Sequence, residues 1–111
     1  MAMCQMEFQE SVEGALSSTV GTFTNGQKNR WTDGVLAGVN FVLQLSQNVA
    51  AETVLVSGAY PIFNNNNVPI KIYDNTGGNF WDAVITSTGT IVTKSAINSG
   101  HSLRASFVYL V

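Results

Sequence analysis

The chain has 111 residues, of which 45% are hydrophobic and 11% charged, with a net charge of −2 at pH 7. That length holds one domain and not two. The five basic residues, Lys28, Arg30, Lys71, Lys94 and Arg104, are scattered, whereas a nucleic-acid binder needs them clustered, so nucleic acid is excluded as a partner.

Charged residues fall well below the ~25% of an ordinary domain. The polar remainder is Ser, Thr, Asn and Gln, a surface suited to hydroxyl-rich ligands or to other subunits. Cys4 and His101 are the sole cysteine and histidine, so neither an intrachain disulfide nor a multi-ligand metal site is expected. Cys4 reads as a spare thiol, and no cofactor is expected. The start, "MAMCQMEFQE", has neither the basic nor the apolar region of a signal peptide. No apolar run approaches the ~20 residues of a membrane span, so membrane insertion is not expected and synthesis in the cytoplasm is.

Residues 3–13 are the one stretch with helical spacing, through Met3, Met6 and Glu10. Residues 1–25 are read as an N-terminal extension or first strand, a possible stalk remnant, and 26–111 as a β-sandwich head. "ALSSTVGTFTNG" predicts a strand ending at an Asn25-Gly26 turn, and "KNRWTDG" a second turn region. In "GVNFVLQLSQ", Val39, Phe41, Leu43 and Leu45 alternate with Asn40, Val42, Gln44 and Ser46, the pattern of a half-buried strand. "ETVLVSG" is a short strand closed by Gly58. Pro61 and Pro69 flank four asparagines at 64–67, which predicts a loop. "PIKIYDN" is a strand, Thr76-Gly77-Gly78 a turn, and "NFWDAVITSTGTIVTKSAI" a hairpin around Ser87-Thr88-Gly89.

The last segment, "HSLRASFVYLV", puts Leu103, Ala105, Phe107, Tyr109 and Val111 on one face of an extended chain. The other face starts polar and turns apolar at Val108 and Leu110. Such a strand is expected to be paired on its edges and covered on both faces, the second by another subunit. Seven to nine strands with short, regular turns predict an all-β fold, a jelly-roll or antiparallel β-sandwich.

Catalytic patterns are sparse. The serines lack a nucleophile-elbow context, and Asp33, Glu52, Asp74 and Asp82 nominate no carboxylate pair for glycoside hydrolysis. Asp74, Asn75, Asn79 and Asp82 form an oxygen-rich cluster; a turn held by Asx hydrogen bonds explains it more simply than calcium. Binding remains. Trp31, Tyr60, Phe80, Trp81 and Tyr109 lie near predicted turns or strand ends. Aromatic faces pack on sugar C–H groups while charges and amides hold hydroxyls. Pairing of the final strand with residues 80–86 would assemble Trp81, Asp82, His101 and Arg104 as a ligand site. The plainer alternative makes Trp81 core and Asp82–Arg104 a cross-strand salt bridge.

The succession "VNFVLQLSQNVAAETVLVSGAYPIFNNNNVPIKIYDNTG", "FWDAVITSTGTIVTKSAI" and "GHSLRASFVYLV" resembles the C-terminal head domain of phage receptor-binding (tail-fibre or baseplate) proteins, best known from siphophages of Gram-positive bacteria. The match spans roughly residues 31–111. The resemblance implies a trimeric jelly roll at the virion tail tip, binding host cell-wall saccharide or a teichoic-acid-like polymer without catalysis. It also implies aromatic, acidic, His and Arg side chains at the site, types that Trp81, Asp82, His101 and Arg104 supply. A trimer would cover the second face of the last strand. The competing expectation is a structural or signalling trimer of the tumour-necrosis-factor-like kind with no sugar site.

Overall fold

The computed structural model describes residues 16–63 and 66–111, and of positions 25–27 the backbone alone. The helical reading of 3–13, Cys4 and part of the asparagine run lie outside the described residues. Among the described residues seven strands form one antiparallel sheet: β1 (Gly21–Thr32), β2 (Leu36–Leu45), β3 (Val54–Val56), β4 (Val68–Asp74), β5 (Asn79–Ile85), β6 (Ile91–Thr93) and β7 (Ser102–Leu110). The spatial order is β1-β2-β7-β4-β5-β6-β3. The two ends of that order meet. Ser17, ahead of β1, exchanges backbone hydrogen bonds with Ser57, just after β3, at 2.9 and 2.8 Å. The sheet therefore curls into a near-barrel around one core, and no helix occurs among the described residues.

The core follows from period-two alternation. On β2, Val39, Phe41, Leu43 and Leu45 are buried while Asn40 and Gln44 face solvent. Leu103, Ala105 and Tyr109 of β7, Ile72 of β4, Ala83 and Ile85 of β5 and Leu55 of β3 close the same core. On β2, β4, β5 and β7 alternate residues thus point inward, as an antiparallel sheet with one wet face requires.

The first hairpin departs from the sequence reading. Asn25-Gly26 does not end a strand, and residues 28–32 are not a turn; β1 runs through both. Between Phe23↔Leu43 and Lys28↔Phe41 the register slips, with five steps on β1 against two on β2. The turn-forming dipeptide is absorbed as a bulge within a long strand. The true turn is Asp33-Gly34. Asp33 Oδ1 accepts the Val35 and Leu36 N–H groups at 2.9 and 2.8 Å, and Gly34 takes φ 94°, which glycine adopts at little cost. The boundary expected between residues 25 and 26 falls inside this strand. Leu16 and Val20, which precede it, are core residues.

β7 pairs with β2 along its length, from Leu36↔Leu110 to Gln44↔Ser102. Its other edge meets β4, and only at Tyr73↔Arg104 and Asp74↔Leu103. Beyond those pairs β4 and β7 diverge. Pro69, which has no N–H to give, lies in the part of β4 whose only ladder is with β5. The 58–63 segment packs in the opening. Phe63 N–H donates to Leu110 O at 3.1 Å, and Tyr109 Oη–H donates to Tyr60 O at 2.7 Å.

Candidate functional site

The pairing of β7 decides which predicted site residues meet. The expected contact between β7 and residues 80–86 does not form, because β4 lies between β7 and β5. The β4–β5 hairpin closes locally over a short turn, which costs less chain entropy than a distant pairing. The quartet Trp81, Asp82, His101 and Arg104 is accordingly divided between two faces of the sheet.

Trp81 and His101 go inward and meet on Asp74. This carboxylate is fully buried. Its Oδ1 accepts the Thr76 and Gly77 N–H groups, both at 2.9 Å, forming the expected Asx turn. Its Oδ2 accepts Trp81 Nε1–H at 2.9 Å and the His101 Nδ1 proton at 2.5 Å. Burial pushes the Asp74 carboxyl up, but the hydrogen bonds from Gly77, His101, Trp81 and Thr76 outweigh it and hold the group below the usual carboxylate range. The turn is tied to the start of β7: Asn75 N–H donates to Ser102 O at 2.8 Å, and Ser102 N–H to Thr76 Oγ1 at 3.0 Å. His101 in turn accepts Leu45 N–H on its carbonyl at 3.0 Å. Trp81 packs against the core, as the plainer reading had it.

An imidazole oriented by a buried carboxylate is half of a nucleophile-activating set. The other half is missing among the described residues, where Asp74 is the one side-chain partner of His101. No group of three His, Cys, Asp or Glu side chains is placed to hold a metal ion among the described residues. This cluster fastens one end of the barrel.

Asp82 and Arg104 face outward, and not toward each other. Asp82 pairs with Lys71, directly across the β4–β5 ladder. Arg104 stands opposite Val42 on one side and Tyr73 on the other, and Tyr73 is opposite Phe80. Residues directly opposite in antiparallel strands share a face. A row Val42–Arg104–Tyr73–Phe80 therefore crosses four strands on the outer surface. The Tyr73 and Phe80 rings meet edge to face, 5.0 Å apart at 61°. Phe80 is 63% exposed. Beside this row run Gln44↔Ser102 and Asn40↔Ser106, amide and hydroxyl groups able to donate and accept.

The other candidate aromatics are committed. Trp31 lies against Gly38, where a Cβ would overlap its indole. The Tyr60 ring lies under the Arg30 guanidinium, 4.2 Å away. Tyr109 is buried, which pushes its phenol up to about 12. Phe80, one of the aromatics noted in the sequence, is the exposed member, and Tyr73 was missed. Parity could have found the pair: in any β5 strand that buries Trp81, Phe80 and Asp82 must share the opposite face.

A second exposed surface lies at the far end of β7. Val35, Phe63, Val108 and Leu110 are each more than half exposed. They adjoin through two shallow cavities of about 250 and 370 Å³ that share Phe63 and Leu110. The face of β7 that turns apolar in sequence is thus open in the single chain.

No model of a known protein family matches the chain, and no curated protein matches it in sequence. No helix among the described residues is long and apolar enough to cross a membrane.

Proposed function

We propose that this protein is the host-recognition head of a phage receptor-binding protein, a non-enzymatic homotrimeric jelly roll at the tail tip that binds host cell-surface saccharide. The observation that carries the reading is the exposed Phe80 ring set against Tyr73 on an open sheet face, beside rows of neutral amides and hydroxyls. Ring faces pack on the C–H groups of a sugar, and the amides and hydroxyls take its OH groups. Beside the charged Lys71–Asp82 pair and Arg104, the neighbouring Gln44, Ser102, Asn40 and Ser106 are neutral. The ligand row replaces the quartet inferred from sequence and keeps only its Arg104.

The trimer is supported by the apolar end of β7. Val35, Leu36, Phe63, Val108 and Leu110 leave on the order of 500 Å² of apolar surface exposed, at the upper end of what a monomer usually shows. Arg104 and Leu110 are about 20 Å apart along the strand, so packing at this end leaves the ligand row open. The same apolar end also favours the second reading, a trimer of the tumour-necrosis-factor-like kind with no sugar site. Adsorption to host cell walls separates the two. Phe80→Ala is expected to abolish adsorption while leaving the thermal midpoint and the oligomer unchanged, because the ring is largely in solvent. Full adsorption by Phe80→Ala would remove the row from consideration.

A further inference from the structure

The described chain begins at Leu16, and residues 1–15 precede it. Ser17 is held to Ser57 in an antiparallel bridge. In such a bridge the chain upstream of one residue lies beside the chain downstream of the other. Residues ahead of Ser17 therefore leave in the direction that 58–63 takes. From Ser57 that path ends at Phe63, whose N–H donates to Leu110 O, after about 22 Å of chain at most. Residues 10–16 span the same length, so residues 4–9 reach the apolar end of β7. There Val35, Phe63, Val108 and Leu110 are each more than half exposed, over the cavities of about 250 and 370 Å³. A patch on the order of 500 Å² suits a short segment better than a whole subunit, which takes roughly 800 Å² per partner. The upstream sequence matches it. Cys4, Met6 and Phe8 alternate with Gln5, Glu7 and Gln9, a pattern that gives an extended chain one apolar face. A polar group on the way also lacks a partner. Arg30 donates Nη1–H to Gly58 O at 2.8 Å, but its Nε is buried with no acceptor among the described residues. Glu13 is separated from Ser17 by about 14 Å of chain at most.

We infer that residues 4–9 of this chain dock in cis on the apolar end of β7, with Met6 and Phe8 seated over the two cavities, and that Glu13 supplies the acceptor for Arg30. Methionine is unbranched and fills irregular gaps of this kind. Burial of two large apolar side chains offsets the entropy lost in ordering the segment. A tethered segment acts at an effective concentration of about mM, which favours it over a second copy of the chain. The inference does not depend on the saccharide reading. It bears on assembly. The docked segment and a subunit contact use the same surface, so the segment leaves before subunits pack there. Residues 4–9 thus act as a brake on trimer formation.

The sole cysteine makes the test direct in the full chain. A nitroxide spin label on Cys4 is expected to broaden the amide NMR signals of Val35, Phe63, Val108 and Leu110. It should spare Gln44 and Ser102, at the other end of the β2–β7 ladder, about 26 Å away along β7. A label on Cys4 can itself disturb the contact, so a Cys4→Ser, Gln9→Cys chain labelled at position 9, on the polar face, repeats the measurement. Met6→Ser with Phe8→Ser should abolish the broadening and raise the share of trimer in sedimentation at equal concentration. Glu13→Gln should shift the Arg30 Nε–H signal. Absence of broadening at the patch with both labels, or broadening that survives Met6→Ser with Phe8→Ser, would overturn docking. Mixing spin-labelled chain with isotope-labelled chain that carries no spin label separates cis from trans. Broadening in that mixture would put a second copy's segment on the patch and overturn docking in cis. An unchanged share of trimer would overturn the brake, and an unmoved Arg30 signal the part given to Glu13. None of these outcomes touches adsorption through Phe80, which tests the saccharide reading separately.

Discussion

Asp74→Asn is the sharpest perturbation of the fold. The asparagine keeps one oxygen for the Thr76 and Gly77 N–H groups, so the Asx turn survives. At the position of Oδ2 it places an NH₂ group against Trp81 Nε1–H, which can only donate. Leaving buried donors face to face costs about 1–3 kcal/mol, and losing the charge from the remaining bonds adds about 1 kcal/mol. The expected loss is therefore about 2–4 kcal/mol out of a total of roughly 5–15 kcal/mol, or a fall in Tm of roughly 10–20 °C. Urea titration followed by circular dichroism measures it. Trp81→Phe removes the opposing donor, so the double mutant should be more stable than the sum of the single losses by about 1 kcal/mol. Additive effects, or an Asp74→Asn loss below about 0.5 kcal/mol, would refute the reasoning. The same carboxylate gives a pH dependence. Its folded pKa lies below its unfolded value, so its contribution is complete above about pH 4 and disappears as pH falls through the lower folded value. Asp74→Asn should flatten the acid limb of the stability curve.

Two further outcomes follow from single contacts. Gly89 holds φ 81° beneath Ala59, and a Cβ there would overlap the Ala59 carbonyl oxygen. Gly89→Ala should cost about 2–3 kcal/mol, read as a shifted urea midpoint; a midpoint within error of wild type would mean that the 58–63 segment yields freely. The Tyr109 phenol, raised to about 12 by burial, stays protonated where the unfolded phenol ionises. Stability should thus decline between pH 10 and 12. Tyr109→Phe should lessen that decline and cost about 0.5–1.5 kcal/mol at neutral pH through the lost bond to Tyr60 O.

The strands from β2 onward are legible in the sequence because their signals are local. Alternation marks Val39 to Leu45, and glycine- and threonine-rich turns bracket β5. The first hairpin was not, because Asn25-Gly26 has the local chemistry of a turn, while the long ladder from β1 to β2 absorbs it as a bulge. Local propensity yielded to pairing along a buried face. The site was half legible for a related reason. Periodicity tells which residues of a strand share a face but not which strand lies alongside. Once β4 separates β7 from β5, Trp81 and Asp82 part company with Arg104, and Tyr73, unremarkable in sequence, becomes its neighbour. Asp74 forms the turn that its sequence context predicts. Its second role, as acceptor for Trp81 and His101, depends on a contact across 27 residues.

The proposed function requires that the row Arg104–Tyr73–Phe80 touch a ligand. Amide and side-chain NMR shifts of the full chain, recorded during titration with poly(glycerol phosphate) and with solubilised host wall polysaccharide, test this most directly. The account predicts perturbations concentrated on residues 40–44, 71–73, 79–82 and 102–106 with at least one of these probes. Shifts confined to the apolar end around Phe63 and Leu110, or no shifts with either probe, would contradict it.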